Sequence, residues 1–295
     1  MKKISVIVNC YNGEEYLENC LNSILNQNFK DFEIIFFDNA STDNTNNIIK
    51  NFNDNRIKYF LSEKKLPLYH ARNQALQKSS GELIAFLDVD DWWDKDYLSS
   101  REDEFNNTDY GIFYNNVFIF YEKDKSIKKY KDYNLPSGKI YNSLVKDYFI
   151  VISGLIIRKE VFNKIGKFNS NFNIIGDFDF VMKASRKFNF HALNKPLSFY
   201  RVHEKNFSKE NLDIFFEEFS MWYQDQTKKN DEYFEKYKKF FKKRLLYLEI
   251  NYLLLHKGKN FSLIKKIMKY PNLLQKIKFM VGFILPNKIS RLLKK

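Results

Sequence analysis

The sequence predicts an α/β fold: a mostly parallel sheet flanked by helices on both faces, followed by a basic helical C-terminal extension. Three observations predict it. Short apolar runs alternate with helical patterns over the first hundred residues. Polar side chains follow directly after three of those runs. Positive charge is concentrated in the last part of the chain, where the pattern is helical throughout.

Four apolar runs predict the first strands of the sheet. They cover residues 4–8, 32–37, 56–60 and 83–87. The runs are continuous rather than alternating, which is typical of strands covered by helices on both faces. Between them, apolar residues recur at steps of three and four, so helices are expected at 16–25, 48–52 and 68–79. Ser41, Thr42 and Asp43 are candidate N-caps of the second helix.

Aromatic and β-branched segments continue the predicted fold. Strands are expected at 110–121, 149–157 and 197–202, and a helix that follows Gly176-Asp177-Phe178-Asp179 and runs to about Lys187. From about Asn211 the pattern is helical and Lys-rich, with breaks at Pro271 and Pro286. We therefore expect two domains, residues 1–210 and 211–295.

Composition excludes several classes of protein. The chain has 295 residues, of which 44% are hydrophobic, which excludes wholesale disorder. Two cysteines, Cys10 and Cys20, cannot make a disulfide framework and are expected in a reduced core. No apolar stretch is long enough to span a membrane, and the N-terminal apolar run is too short for a signal peptide. These features predict a cytoplasmic protein.

The charge distribution predicts a partner for the C-terminal region. The net charge is +13, and residues 226–295 contain 19 Lys or Arg against 4 Asp or Glu. Basic amphipathic helices are typical of interfacial binding to anionic lipid, so we expect the tail to hold the protein on the cytoplasmic face of the inner membrane. The alternative is a helical bundle packed on the main domain. No nucleic-acid partner is expected, because no RNA- or DNA-binding module is recognisable.

The acidic run Asp88-Val89-Asp90-Asp91 is the first candidate site. Three carboxylates directly after a buried strand repel one another unless a cation or hydrogen-bond donors neutralise them. Without a nearby His/Cys cluster, oxygen ligands favour Mg²⁺ or Mn²⁺ over zinc. The alternative is a solvated acidic turn.

Other polar residues are further candidates. The polar runs 9–12 and 38–41 share with the acidic run the edge of the predicted sheet where parallel sheets bind their ligands. Asp38 ends the second strand, where it would either contact a nucleotide or cap the next helix. Asp177 would be a general base or a helix-capping acid. Arg72, and Arg201 with His203, are basic candidates for phosphate binding, or structural residues.

Five motifs follow one another between about residues 3 and 208. They are ISVIVNCYNG (4–13), FDNASTDNT (37–45), ARN (71–73), LDVDD (87–91) and SGLIIRKEVFNKIGKF (153–168). In this order and spacing they resemble the family-2 glycosyltransferases of the bacterial surface-polysaccharide type, which are inverting enzymes with the GT-A (Rossmann-like) fold. The resemblance implies a nucleotide-sugar donor, with UDP favoured, and a glycan or lipid-linked acceptor.

The resemblance also implies roles for residues of the donor site. Asp38 would contact the uracil or the ribose, and the backbone from Asn9 to Tyr11 would line the base pocket. Asp88 and Asp90 would form the DxD element that holds Mn²⁺ or Mg²⁺, with Asp90 as the direct metal ligand. Arg72 would approach the ribose or the diphosphate.

The motif at Asp177 matches the family with one departure. Asp177 stands where the family has the aspartate of its Glu-Asp pair, the catalytic base, but Gly176 replaces the glutamate. Residues 200–208 resemble the family's final motif, which implies that Arg201 and His203 close over the diphosphate or the metal. The alternative function is a non-catalytic nucleotide-sugar-binding or scaffold protein that uses the basic tail for membrane or partner binding.

Overall fold

The structure is a computed structural model that describes residues 3–256 and 260–284. The chain divides into two compact units, Met1–His203 and Glu204–Lys295. The division falls directly after the last strand of the sheet. Each unit has its own hydrophobic core.

The first unit begins with alternating strands and helices, as the sequence predicts. The strands are β1 (Ile4–Cys10), β2 (Phe32–Asp38), β3 (Ile57–Leu61) and β4 (Leu83–Phe86). The helices are α1 (Leu17–Leu25), α2 (Thr45–Lys50) and α3 (Leu68–Lys78). Every residue of β1, β2 and β4 is buried, which explains their continuous apolar runs.

The remainder of the unit extends the sheet with longer and more irregular strands. They are β5 (Trp92–Trp93), β6 (Tyr110–Tyr121), β7 (Ser126–Lys129), β8 (Leu155–Arg158) and β9 (Asn189–Val202). The accompanying helices are α4 (Tyr141–Lys146), α5 (Lys159–Ile165) and α6 (Gly176–Ala184). Short 3₁₀ turns separate some of these elements.

The strands form one sheet in the order β3-β2-β1-β4-β8-β6-β9-β5, with β7 paired to β6. The strands β3, β2, β1 and β4 are parallel. The strand β8 then runs antiparallel between β4 and β6, and β9 lies parallel to β6. Because β1, β2 and β4 are parallel neighbours, their carboxyl ends lie at one edge of the sheet, and the predicted site residues follow them there.

Some predicted elements differ from the structure. The strand β9 starts at Asn189, eight residues before the predicted position, because its first part pairs with β6 across two register shifts. The strand β8 is shorter than predicted, since a 3₁₀ turn occupies Ile152–Gly154.

The caps of α2 also differ from the prediction, because Asn44 occupies the N-cap position. Asp43 accepts a hydrogen bond from the Thr45 N–H group, but Ser41 and Thr42 contact Asn12 instead. None of the three predicted residues is therefore the N-cap, although Asp43 binds the first N–H group of the helix.

The second unit is helical, as predicted. Its helices are α7 (Phe207–Glu210), α8 (Leu212–Lys228), α9 (Glu232–His256), α10 (Phe261–Lys269) and α11 (Leu273–Ile284). Pro271 lies between α10 and α11, as expected of a helix breaker. The predicted break at Pro286 lies outside the described residues. Within the described ranges, no helix is both long enough and apolar enough to cross a membrane.

Candidate active site

Asp38 is fixed by two hydrogen bonds at the end of β2. Its carboxylate accepts from the Ser41 N–H group at 2.8 Å and from the Tyr59 hydroxyl at 3.0 Å, and the residue is fully buried. The first contact closes a turn of the kind that Asp commonly makes, and the second joins β2 to β3. Asp38 is therefore a rigid buried acceptor, and Tyr59 is a partner that the sequence analysis did not identify.

The start of the predicted base pocket contains a polar side chain without a partner. Asn9 is buried in β1, and neither its Oδ1 nor its Nδ2 atom has a hydrogen-bond partner. A buried amide in this state carries a free-energy cost that a bound ligand or water would remove. Nearby in sequence, Tyr11 is exposed and has the Lys65 ammonium 3.7 Å from its ring centroid.

Asp88 forms an ion pair with Arg72, whose guanidinium is almost fully buried. Burial alone would lower the pKa of Arg72, but the charges of Asp88, Tyr69 and Asp177 together outweigh it, so the pKa is raised. The pKa of Asp88 is raised, mainly by burial. The charge of Arg72 lowers this pKa in part, and the neighbouring charge of Asp90 raises it further. Arg72 on α3 thus neutralises the first acid of the predicted DxD element.

Asp90 is in contact with His203, the last residue of the first unit. The Oδ2 atom of Asp90 lies 3.0 Å from the Nε2 atom of His203. The Arg201 Nε–H group donates to the backbone carbonyl of Asp90 at 2.8 Å, which holds the end of β9 against the acidic loop. Arg201 and His203, predicted from the final motif, are therefore brought together with Asp90 of the acidic run.

The Arg201 guanidinium is held between aromatic rings. It lies 4.7 Å from the ring centroids of both Tyr16 and Trp92, and its Nη1 atom is 3.3 Å from Glu122. The Tyr16 hydroxyl donates to the same carboxylate at 3.2 Å. A guanidinium that lies against two rings and donates separately to Asp90 and Glu122 suits Arg and not Lys. The contacts give Arg201 a positioning role next to Asp90.

Asp91 is a structural acid that the sequence analysis grouped with its neighbours. It is almost fully buried, where it accepts from the Ser153 hydroxyl and, at 2.8 Å, from the Arg201 N–H group. Burial and the charges of Asp90 and Asp88 raise its pKa well above the usual value. Asp91 therefore joins the acidic loop to the turn before β8 and to β9.

Asp177, at the start of α6, receives a hydrogen bond from Tyr69. The Tyr69 hydroxyl donates to its Oδ1 atom at 2.8 Å. Burial raises the pKa of the Asp177 carboxyl, and the Tyr69 hydrogen bond and the charge of Arg72 partly oppose this. A carboxylate with a raised pKa is a stronger base, so the environment suits proton abstraction.

Gly176 has a steric explanation in the same contact. A Cβ atom at this position would lie 2.4 Å from ring atoms of Tyr69. The ring is itself packed against Phe168, with 5.3 Å between the ring centroids. The Tyr69 ring thus fills the space that a side chain at position 176 would need, which explains why glycine fits there in place of the expected glutamate.

A continuous series of contacts joins the two acidic motifs. Asp88 pairs with Arg72, the Arg72 guanidinium lies 4.8 Å from the Tyr69 ring centroid, and the Tyr69 hydroxyl binds Asp177. Tyr69 and Arg72 are three residues apart on α3 and so share one face of the helix. The sequence analysis used Arg72 and missed Tyr69, although this spacing was visible.

The cysteines of the first unit do not belong to the chemistry. Cys10 and Cys20 are buried and unpaired, as predicted. Burial is the main reason that the pKa of the Cys10 thiol is raised to about 12. Such a thiol is inert as a nucleophile at neutral pH.

The residues at the acidic loop fit a divalent cation only in part. Within the described part of the chain, no three His, Cys, Asp or Glu side chains are gathered closely enough to form a metal site by themselves. Asp90 and His203 offer one carboxylate and one imidazole at close range, whereas Asp88 is paired with Arg72. Mg²⁺ and Mn²⁺ suit such a sparse set, because they take their other ligands from water and from substrate phosphates.

The comparison with protein families decides the class to which this arrangement belongs. The model of Glycosyl transferase family 2 matches residues 5–166, which is more than half of the chain. The chain belongs to this family. The predicted family is confirmed, and the enzyme class that accompanies it, glycosyltransferase, is the one that the motifs predicted.

A curated relative shows what a member of the family can do. The chain is 29% identical over 160 residues to the UDP-Glc:alpha-D-GlcNAc-diphosphoundecaprenol beta-1,3-glucosyltransferase WfgD of Escherichia coli. That match covers 54% of this chain and 62% of WfgD. The matches to three other relatives likewise cover less than two thirds of those proteins, between 19% and 40% of their lengths.

Solved structures confirm the fold. Residues 1–349 of TarS from Staphylococcus aureus, in complex with UDP-GlcNAc, match with a TM-score of 0.65 and 20% identity. The match covers 98% of this chain and 83% of TarS. The mannosyltransferase PcManGT from Pyrobaculum calidifontis, in complex with GDP-Man and Mn²⁺, matches with a TM-score of 0.61 and 16% identity, over 99% of this chain and 84% of that chain. The predicted α/β fold of the GT-A type is therefore confirmed.

Proposed function

We propose that this protein is an inverting glycosyltransferase that moves a sugar from a UDP-linked donor to a hydroxyl group of a lipid-linked or glycan acceptor. The observation that carries the proposal is the contact series from Asp88 through Arg72 and Tyr69 to Asp177. It joins a DxD element to a buried carboxylate with a raised pKa at the carboxyl edge of the sheet. Direct displacement at an anomeric carbon is assisted by a group that stabilises the leaving diphosphate and by a base that takes the acceptor proton, and these two positions can supply both.

The donor half of the site is assigned to residues after β1, β2 and β4. Asp38 accepts from the uracil or the ribose, and the buried Asn9 amide supplies a donor or an acceptor that lacks a protein partner. The backbone near Tyr11 lines the base. Arg72 neutralises Asp88 and supports the diphosphate from the α3 side.

A divalent cation is proposed at Asp90 and His203, with Asp88 next to them. The cation supplies positive charge that stabilises the leaving nucleoside diphosphate. Arg201 keeps this loop in place through the Asp90 carbonyl and Glu122.

Asp177 is the proposed general base. It takes the proton of the acceptor hydroxyl while that oxygen bonds to the anomeric carbon from the face opposite the leaving diphosphate. One displacement inverts the configuration, and no enzyme nucleophile takes part. The inert thiol of Cys10 is compatible with this.

Transfer assays with a matched control test the base. Asp177→Asn is expected to bind UDP in the presence of Mn²⁺ as the wild type does, and to lose transfer by a factor of about a hundred or more. Asp179→Asn, on the same helix, is the control, because that carboxylate is paired with Lys183 at 2.5 Å. Equal transfer by Asp177→Asn and the wild type contradicts the assignment.

A non-catalytic nucleotide-sugar-binding or scaffold protein is the second candidate, and the glycine at position 176 favours it. The two functions differ in one measurement. Without an acceptor, a glycosyltransferase slowly transfers the sugar of a UDP-sugar to water and thereby releases UDP. A binding protein leaves the UDP-sugar intact. Release that depends on Mn²⁺ and on Asp177 supports the enzyme.

The acceptor and the place of action are part of the proposal. WfgD is named for an undecaprenol-linked acceptor, and the C-terminal region of this chain is strongly basic. We infer a lipid-linked acceptor and a peripheral position on the cytoplasmic face of the inner membrane, with residues 211–295 as the membrane-binding region.

A further inference from the structure

The helix α11 presents apolar side chains on two opposite faces. Phe279 and Gly282 are buried, and Phe279 packs against the rings of Tyr270 and Tyr247 in the core of the second unit. This inner face explains how α11 is attached to α9 and α10. It leaves the apolar side chains of the outer face unexplained.

The outer face is continuous and strongly exposed. It consists of Leu273, Leu274, Ile277, Val281 and Ile284, with exposed fractions of 70%, 72%, 51%, 37% and 73%. At about 100° per residue, these five positions fall within roughly 100° of the helix circumference. Scattered exposed apolar residues are ordinary, but five on one face of one helix are not.

Positive charge borders this face on both sides. By the same helical geometry, Lys276 lies roughly 60° beyond one edge and Lys278 roughly 40° beyond the other. On α10, Phe261 and Met268 are exposed at 69% and 58%, and exposed lysines lie beside them at positions 265 and 269. Residues 260–284 contain no Asp or Glu.

We propose that this outer face of α11 is the surface by which the protein lies on an anionic lipid bilayer. An apolar face placed in the acyl region and lysines at headgroup level on both sides make the arrangement of an interfacial helix. Charge complementarity selects the partner, because a segment that carries lysines and no acids matches anionic headgroups. The proposal deepens the membrane location proposed above, since it names the contact surface.

The test uses the full chain, vesicles and a matched pair of variants. Ile277 and Ile127 are both isoleucines with 51% exposure, the first on α11 and the second on β7. Flotation is measured with phosphatidylcholine vesicles and with vesicles that contain one-third phosphatidylglycerol. We expect the wild type and Ile127→Glu to float with the anionic vesicles. Partitioning of Ile277→Glu is expected to fall about tenfold, because one apolar contact is lost and a negative charge is added.

A second variant keeps the test independent of any folding defect. With Ile277→Trp, we expect anionic vesicles to shift the emission to the blue, and brominated acyl chains to quench it more than they quench the wild type. Raising the salt concentration from about 0.1 M to 1 M is expected to weaken vesicle binding, because the Debye length falls from roughly 10 Å to 3 Å.

Three results overturn the proposal. The first is equal flotation of Ile277→Glu and the wild type. The second is a change of oligomeric state in Ile277→Glu while no variant binds vesicles, which assigns the face to a second copy of the chain. The third is a lower melting temperature of Ile277→Glu without vesicle binding by the wild type, which assigns the face to packing within the chain.

The vesicle result and the proposed enzymatic function can fail separately. Mn²⁺-dependent release of UDP from a UDP-sugar is measured in solution, and both glutamate variants are expected to retain it. Vesicle binding without UDP release keeps the membrane surface and removes the proposed activity. UDP release without vesicle binding supports the proposed activity and removes the proposed membrane surface.

Discussion

The Tyr69 hydroxyl donates a 2.8 Å hydrogen bond to Asp177, and the ring of the same tyrosine occupies the space that a side chain at position 176 would need. One residue of α3 therefore contacts both positions of the α6 N-terminus: its hydroxyl binds Asp177 and its ring adjoins Gly176. The two residues are 108 positions apart, so only the packed fold brings them together.

Removing the Tyr69 hydroxyl is expected to change the pH dependence of transfer. The hydrogen bond lowers the pKa of Asp177 against the larger effect of burial, so Tyr69→Phe raises that pKa. The base is then protonated at higher pH, and the acidic limb of the kcat/KM profile moves to higher pH. The profile of transfer rate against pH measures this shift.

The matched control for this prediction is Tyr59→Phe, which removes the hydroxyl that donates to Asp38. We expect it to raise the KM for the UDP-sugar and to leave the acidic limb in place. If Tyr69→Phe lowers the rate equally at every pH, the hydroxyl does not act through the ionisation of Asp177.

A methyl group at position 176 is expected to destabilise the protein. In Gly176→Ala the new Cβ meets the Tyr69 ring at 2.4 Å, and Phe168 blocks the ring from moving away. Overpacking of this kind costs about 1–3 kcal/mol of unfolding free energy. Urea denaturation measures it. In a Tyr69→Leu background the same change costs less, and equal costs in both backgrounds contradict the steric explanation.

The elements of the fold could be predicted because burial on both faces leaves a clear pattern in β1, β2 and β4. The polar residues after them could be predicted as a site, since parallel strands end at one edge. The start of β9 could not be predicted, because its irregular pairing with β6 leaves no periodic pattern in the sequence. The spacing of Tyr69 from Arg72 was visible in the sequence, but its role could not be predicted, because that role depends on contacts with α6, which is remote in sequence.

Replacement of Asp90 is expected to remove the metal dependence of nucleotide binding. In the wild type, UDP with Mn²⁺ raises the melting temperature, because a ligand at about a hundred times its Kd adds about 2.7 kcal/mol of stability. Asp90→Ala loses one proposed ligand and leaves His203 without the carboxylate at 3.0 Å. A thermal-shift series with and without Mn²⁺ measures the difference. An unchanged Mn²⁺-dependent shift in Asp90→Ala places the cation elsewhere, and Asp103→Ala, away from the acidic loop, serves as the control.

Glu33 provides the last prediction, which concerns stability. This residue of β2 is 1% exposed and accepts hydrogen bonds from the Ser5 hydroxyl at 2.5 Å and from the Ser80 N–H and hydroxyl groups at 2.6 and 2.8 Å. The Lys58 ammonium lies 2.6 Å away. Burial opposes ionisation, but the contacts with Lys58, Ser5 and Ser80 outweigh it and lower the pKa of Glu33 to about 2. The carboxylate thereby joins β2 to β1, to β3 and to the turn before β4.

The sign of the pH effect follows from the lowered pKa. The folded state holds the ionised form more tightly than the unfolded state does, so this stabilisation is complete above the unfolded pKa of about 4.5 and is lost as the pH falls towards 2. Glu33→Gln is expected to cost up to about 3 kcal/mol of unfolding free energy at pH 7. Urea unfolding at several pH values should show the difference from the wild type shrinking below pH 5. Glu18→Gln, at an exposed position of α1, should stay within about 0.5 kcal/mol of the wild type throughout. A cost for Glu33→Gln that does not change with pH would mean that the hydrogen bonds, and not the charge, stabilise this junction of the sheet.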